Sequence, residues 1–178
     1  MRFILVLVFS FILTGCANPS NSNLTNVDKK IVVEPQESNK QIGILTDSEI
    51  NWEVSPTFKV KEKTLKGTKK EMGVIDKPFI AGKVNQYTWY FWKDNLPEGT
   101  FKVIAIQKDT NKQISALVEE RKEKFVRVWE IEGLKRSEKD ANAQVTAFMS
   151  LPSNGLWCLY AIVGDEVIGQ VTIDVQKN

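Results

Sequence analysis

From residue 57 onward, apolar and polar side chains alternate in short runs, and turn-forming residues punctuate them. A period of two sends successive side chains to opposite faces of an extended strand. Phe58 and Val60 stand among lysines, and Gly73-Val74-Ile75 runs into Asp76-Lys77-Pro78. Tyr87 to Trp92 (YTWYFW) is dense in aromatic residues, which fit a pleated, half-buried surface. Phe101–Lys108, Gln113–Val118, Phe125–Ile131, Ala143–Met149, Leu156–Val163 and Glu166–Val175 continue the series. Leu96-Pro97-Glu98-Gly99 and Asp109-Thr110-Asn111-Lys112 have the chemistry of tight turns. Short strands at regular spacing predict a β-sandwich or a barrel.

Two places in this pattern admit alternatives. Leu117, Val118, Phe125, Val128 and Trp129 also fit helical spacing, around the run Glu119-Glu120-Arg121-Lys122-Glu123-Lys124. A helix would need apolar residues near 121 and 122, and both are basic. Two strands joined by a charged loop are the better reading. At the C-terminus, Val167, Gly169, Val171, Ile173 and Val175 alternate with Ile168, Gln170, Thr172 and Asp174, so the odd positions form the expected core face. The partner strand is apolar on both faces, so the turn decides its register. A three-residue loop, Gly164-Asp165-Glu166, pairs Trp157 with Ile173 and buries Trp157. A two-residue loop, Gly164-Asp165, pairs Ile162 with Val167 and turns Cys158 and Tyr160 inward. The three-residue loop is preferred, because Trp157 has the largest apolar area to bury.

The N-terminus follows different rules. Arg2 precedes an apolar run, Phe3 to Leu13, broken only by Ser10. As a helix this run would span only about 16 Å, short of a ~30 Å hydrocarbon core, so it reads as a signal peptide over residues 1–15. Leu13-Thr14-Gly15-Cys16 resembles a bacterial lipobox. That resemblance implies cleavage after Gly15, a diacylglyceryl group on the Cys16 thiol and further acylation, palmitate included. The partner it implies is the membrane, on its extracytoplasmic face, since two or three acyl chains anchor stably where one does not. Residues 17–49 contain no aromatic residue and a single run of three consecutive apolar side chains, Ile31-Val32-Val33. Such a stretch is expected to be a disordered tether, about 30 Å from end to end. Residues 16–49 thus read as a lipidated linker and 50–178 as the folded domain.

Composition then removes whole classes of chemistry. The 178 residues carry 24 Lys and Arg against 22 Asp and Glu, which argues against a nucleic-acid partner. There is no His, so Ser-His-Asp and Cys-His nucleophiles and His-ligated zinc are absent. No Ser-x-x-Lys, phosphate-binding glycine loop or calcium loop occurs in the folded region. No cofactor and no metal are expected. Asp76, Asp94 and Glu98 lie near turns and read as solvated side chains rather than as a catalytic pair. With Cys16 lipidated, Cys158 is the sole remaining cysteine; an internal disulfide is then ruled out, and Cys158 reads as a small hydrophobe.

The stretches 73–92 and 141–175 are similar to small, uncharacterised lipoproteins of Gram-positive, Bacillus-type bacteria. The shared features are Pro78-Phe79-Ile80-Ala81-Gly82, the paired Trp89 and Trp92, and Leu151-Pro152-Ser153-Asn154-Gly155-Leu156-Trp157. The resemblance implies an all-β fold: one immunoglobulin-like antiparallel β-sandwich, about seven to nine strands, on a lipid anchor. It brings no catalytic residue and no ligand. In that pattern Cys158 stands where a polar residue on the outer face is expected.

What remains for function is the aromatic strand. Tyr87, Trp89 and Phe91 share one face, which enters the core. Thr88, Tyr90 and Trp92 share the other, so Tyr90 and Trp92 form the candidate binding surface unless loops at 85–86 or 132–142 cover them. The expected role is non-catalytic binding of an envelope protein or wall polymer. The alternative is an extracellular hydrolase acting on an envelope substrate, which would need a deep pocket with convergent ionisable groups.

Overall fold

Alternation with frequent turns leaves the backbone no way to pair its N–H and C=O groups except across strands. The computed structural model describes residues 31–32, 50–136 and 141–178. Its elements are β1 (Ile31–Val32), β2 (Thr57–Val60), β3 (Lys63–Thr68), β4 (Met72–Ile75), β5 (Asn85–Phe91), β6 (Phe101–Gln107), β7 (Gln113–Ser115), β8 (Leu117–Arg121), β9 (Lys124–Arg127), β10 (Lys135–Arg136), β11 (Ala143–Met149), β12 (Gly155–Val163) and β13 (Glu166–Val175). The larger sheet runs β1-β9-β8-β11-β5-β4-β3-β2, with β10 on β11, and the smaller runs β13-β12-β6-β7. The described residues contain no helix, and the two sheets face one another as a β-sandwich. The β1–β9 pair is parallel, and the other strand pairs are antiparallel.

More strands form than the sequence suggests, for identifiable reasons. β3 has one apolar residue, Leu65, among lysines and threonines, so its period is masked, yet Leu65 is fully buried. The run 113–118 is divided at Ala116, where the chain leaves the smaller sheet for the larger one. Ile31–Val32, within the stretch read as a tether, lies beside Phe125 and Val126 of β9. Residues 1–15, read above as a signal peptide, Cys16 and the remainder of residues 17–49 lie outside the described residues.

The core forms between the inner faces. Tyr87, Trp89 and Phe91 of β5 point inward as the alternation demands, with exposures of 2%, 0% and 0%. Trp89 and Phe91 each meet the Phe101 ring edge-on at 6.0 Å, and Tyr87 stacks on Phe79 at 4.0 Å while its hydroxyl donates to the Pro78 carbonyl. Trp157, also fully buried, donates its ring N–H to the Ser153 carbonyl at 3.0 Å.

The β8–β9 segment is a hairpin. Lys122 and Glu123 both adopt positive φ, at 47° and 64°, as a two-residue turn matching the twist of its strands requires. The β12–β13 hairpin combines the two registers weighed from sequence. Its turn has two residues, Gly164-Asp165, with Ile162 opposite Val167. A bulge between Ala161 and Ile162 then shifts the pairing, so that Trp157 lies opposite Ile173. Because parity reverses at the bulge, Ile168 enters the core and Val167 is 40% exposed, which corrects the odd-only core face for that one position. The bulge lets a tight turn coexist with a buried Trp157.

Candidate binding surface

Tyr90 and Trp92 leave β5 on the outer face of the larger sheet, as alternation requires, but the structure separates their environments. Tyr90 is 6% exposed, whereas Trp92 is half-buried. The expectation of two aromatics at the surface is therefore corrected for Tyr90. The cover comes mainly from neighbouring strands, joined by Ala141 of the 132–142 loop. Leu65 of β3 and Ala141 bury beside Tyr90, with Phe58, Val60, Ile75 and Trp92 packed around them. Tyr90 lies opposite Gly73 in the ladder, and the missing side chain there leaves a hollow. The Phe58 ring fills it: a Cβ on Gly73 would stand 2.8 Å from the tip of that ring. Phe58 meets Trp92 edge-on at 5.9 Å, Trp92 stacks on Tyr90 at 6.3 Å, and the Lys63 ammonium lies 5.6 Å from the Tyr90 ring centre. The result is a small second core on an outward face, with Tyr90 as its floor and Trp92 as its partly open rim.

The outer face of the smaller sheet carries another apolar cluster, Ile104, Ile106, Cys158, Tyr160 and Ile162. Here the cover comes from distant chain. Ile50 packs on the cluster, as do the half-buried Trp52 and Trp129. The strap at 50–55 is fastened to the edge of β13: Thr172 donates from its hydroxyl to the Asn51 carbonyl, and Ser55 N–H donates to the Thr172 carbonyl. Cys158 faces outward from the inter-sheet core, as the preferred register required, but it is fully buried under this cover. Burial pushes its thiol up to about 11, against which contacts with Thr172 and Tyr160 act weakly. A protonated, covered thiol donating to Gln170 Oε1 at 3.2 Å is chemically inert.

Of the polar candidates, Asp76 stands apart, while Asp94 and Glu98 line one cleft. Asp76 is paired with Lys66 at 3.6 Å, and Asp94 accepts from the Asn142 amide at 3.0 Å. A cleft of about 290 Å³ at one end of the sandwich is lined by Lys93, Asp94, Glu98, Glu132, Lys135 and Arg136, with a few apolar and glycine residues. All six charged side chains are exposed. Among the described residues no group of three Cys, Asp or Glu is placed to hold a metal ion, and no helix is long and apolar enough to cross a membrane.

Sequence reasoning missed Arg127. Its guanidinium is buried and donates to the backbone carbonyls of Ser115 and Ser150. Ser115 in turn donates its hydroxyl to the Val128 carbonyl at 2.6 Å. Burial lowers the Arg127 pKa, yet the side chain ties together the point where the chain crosses between sheets. An arginine alternating with Phe125 and Trp129 gave no sign of this, because its partners are carbonyls remote in sequence.

Comparison with known proteins adds two findings. The family model for a domain of unknown function, DUF4871, matches residues 42–173. A solved crystal structure from Bacillus anthracis, of a protein provisionally labelled a lipoprotein, is 27% identical, with a TM-score of 0.60. The likeness covers 72% of this chain and 89% of that one. No curated protein matches the chain.

Proposed function

The chain belongs to the DUF4871 family, and from that premise we propose that it is a surface lipoprotein, anchored to the membrane through Cys16. Its β-sandwich domain works on the extracytoplasmic face by non-catalytic binding of a protein or another envelope component. The likeness to the Bacillus anthracis protein, together with Leu13-Thr14-Gly15-Cys16, is the observation that carries the anchoring. Binding rather than turnover is supported by the solvated charges of the end cleft and by the inert Cys158. Trp92, half-open on the rim of the outer aromatic cluster, is the candidate contact, with Tyr90 holding it from below.

The anchor is tested by labelled palmitate. Incorporation should vanish in Cys16→Ala and the protein should appear in the medium. Membrane attachment that persists in this variant would count against lipidation. Crosslinking on intact cells with the native protein would identify the neighbours that a binding module requires, and hydrolysis of an envelope substrate by the purified chain would overturn the non-catalytic reading.

A further inference from the structure

The near-neutral charge of the whole chain conceals a strongly polarised domain. Residues 57–83, which form β2, β3, β4 and the loop that follows, contain eight lysines against Glu62, Glu71 and Asp76. The rest of the described domain carries eleven basic side chains against twelve acidic ones. The surplus is therefore confined to one wing of the larger sheet, at the edge opposite β1 and β9. Lys59, Lys61, Lys69, Lys70 and Lys77 are exposed there, and Asp76 is already engaged by Lys66.

The arrangement of this charge restricts its partner. The β2–β3 turn and the β3–β4 turn lie at opposite ends of the six-residue β3, so Lys61 and Lys69 are about 20 Å apart at ~3.3 Å per residue. Lys59 lies on the edge strand between them. Charges spread along an edge and around both ends suit a chain that bends over the wing better than a flat bilayer. The large apolar side chains that are exposed, Val54, Phe148 and Val167, all lie outside the wing, so it has nothing to insert among lipid tails. The wing also has no arginine, and hence no planar fork for a single phosphate in fixed geometry. Lysines act as mobile point charges, and their attraction to a dense row of anions comes largely from counterion release.

We propose that the lysine-rich β2–β4 wing docks an extended polyanion carrying repeating phosphate charges, as a wall polymer would present them. The inference rests on the envelope-binding reading above and names its partner class. The lysine wing supplies affinity and salt sensitivity, and the adjoining Trp92 rim supplies a stacking edge.

The test uses the full mature chain in detergent, with long-chain inorganic polyphosphate as the probe. Lys59→Glu, Lys69→Glu and Lys77→Glu are combined in one variant, and Lys112→Glu, Lys124→Glu and Lys135→Glu in a control with the same change in net charge. The wing variant should lose at least about tenfold in affinity and the control less than about threefold, while affinity of the parent falls steeply with added salt. Gln replacements at the same wing positions repeat the test if the Glu variant melts early. Equal losses in both variants, no binding by the parent, or tighter binding to anionic vesicles than to polyphosphate would overturn the proposal. Crosslinked envelope neighbours that survive in the wing variant would overturn it while leaving the binding role intact.

Discussion

The two outward faces of the sandwich both carry apolar residues, yet they are finished in opposite ways. On the smaller sheet, Ile104, Ile106, Cys158, Tyr160 and Ile162 are roofed by the strap from Ile50 and by Trp129. On the larger sheet, among the described residues, Phe58, Leu65, Ile75, Ala141 and Trp92 pack around Tyr90, over the hollow at Gly73. A roof made from distant chain takes the strand residues beneath it out of solvent, while its own Trp52 and Trp129 stay half-buried. Lateral packing buries the centre and leaves a rim. On the larger sheet that rim is Trp92, the contact proposed above. An outward apolar residue is thus not by itself a binding site, and its availability depends on what the rest of the chain lays beside it.

Three measurements sharpen this comparison. The largest effect should come from neither outward face. Trp89→Ala, inside the core and three residues before Trp92, should cost about 3–5 kcal/mol in urea unfolding, the usual range for emptying a buried aromatic site. A smaller value would mean that the sheets do not close over Trp89. The roofed face comes next, through pH. In the unfolded chain the Cys158 thiol ionises near 9.0, whereas in the fold it stays protonated up to about 11. The unfolded state therefore releases a proton first, and stability is full below pH 9 and falls between about 9 and 11. The slope is ~1.4 kcal/mol per pH unit, and the total loss is at most about 2–3 kcal/mol. Tyr87, whose phenol burial raises as well, adds to the loss only above its ordinary value of 10.0. Cys158→Ser should flatten the profile between pH 9 and 10, and a profile unchanged by the substitution would show that the thiol is not held under the strap. The rim should give the smallest loss. Trp92→Ala is expected to cost about 1–2 kcal/mol, less than a fully buried aromatic because Trp92 is only partly covered, while weakening crosslinking to envelope partners. A loss as large as that of Trp89→Ala would place Trp92 in the core and remove it as a contact.

The inner faces were legible because burial on one side imposes a period that any short window reveals. The β5 face of Tyr87, Trp89 and Phe91, the bounds of β11 and β13, and the extended reading of 117–129 all follow from it. β3 was hidden because lysines, whose stems can lie along an apolar surface while the charge stays in water, obscure the alternation around Leu65. The β12–β13 turn defied a single register because a bulge inserts one residue and reverses parity, a cost in pairing offset by burying both Trp157 and Ile168.

Local periodicity and residue chemistry suffice for an all-strand domain, its inner faces and the lack of histidine chemistry. The tertiary structure decided which outward residues stay open, because Phe58 over Gly73, the strap at 50–55 and the carbonyls that hold Arg127 meet their partners only once distant segments pack. Burial of an outward side chain is set by neighbours remote in the chain, and no periodicity records them.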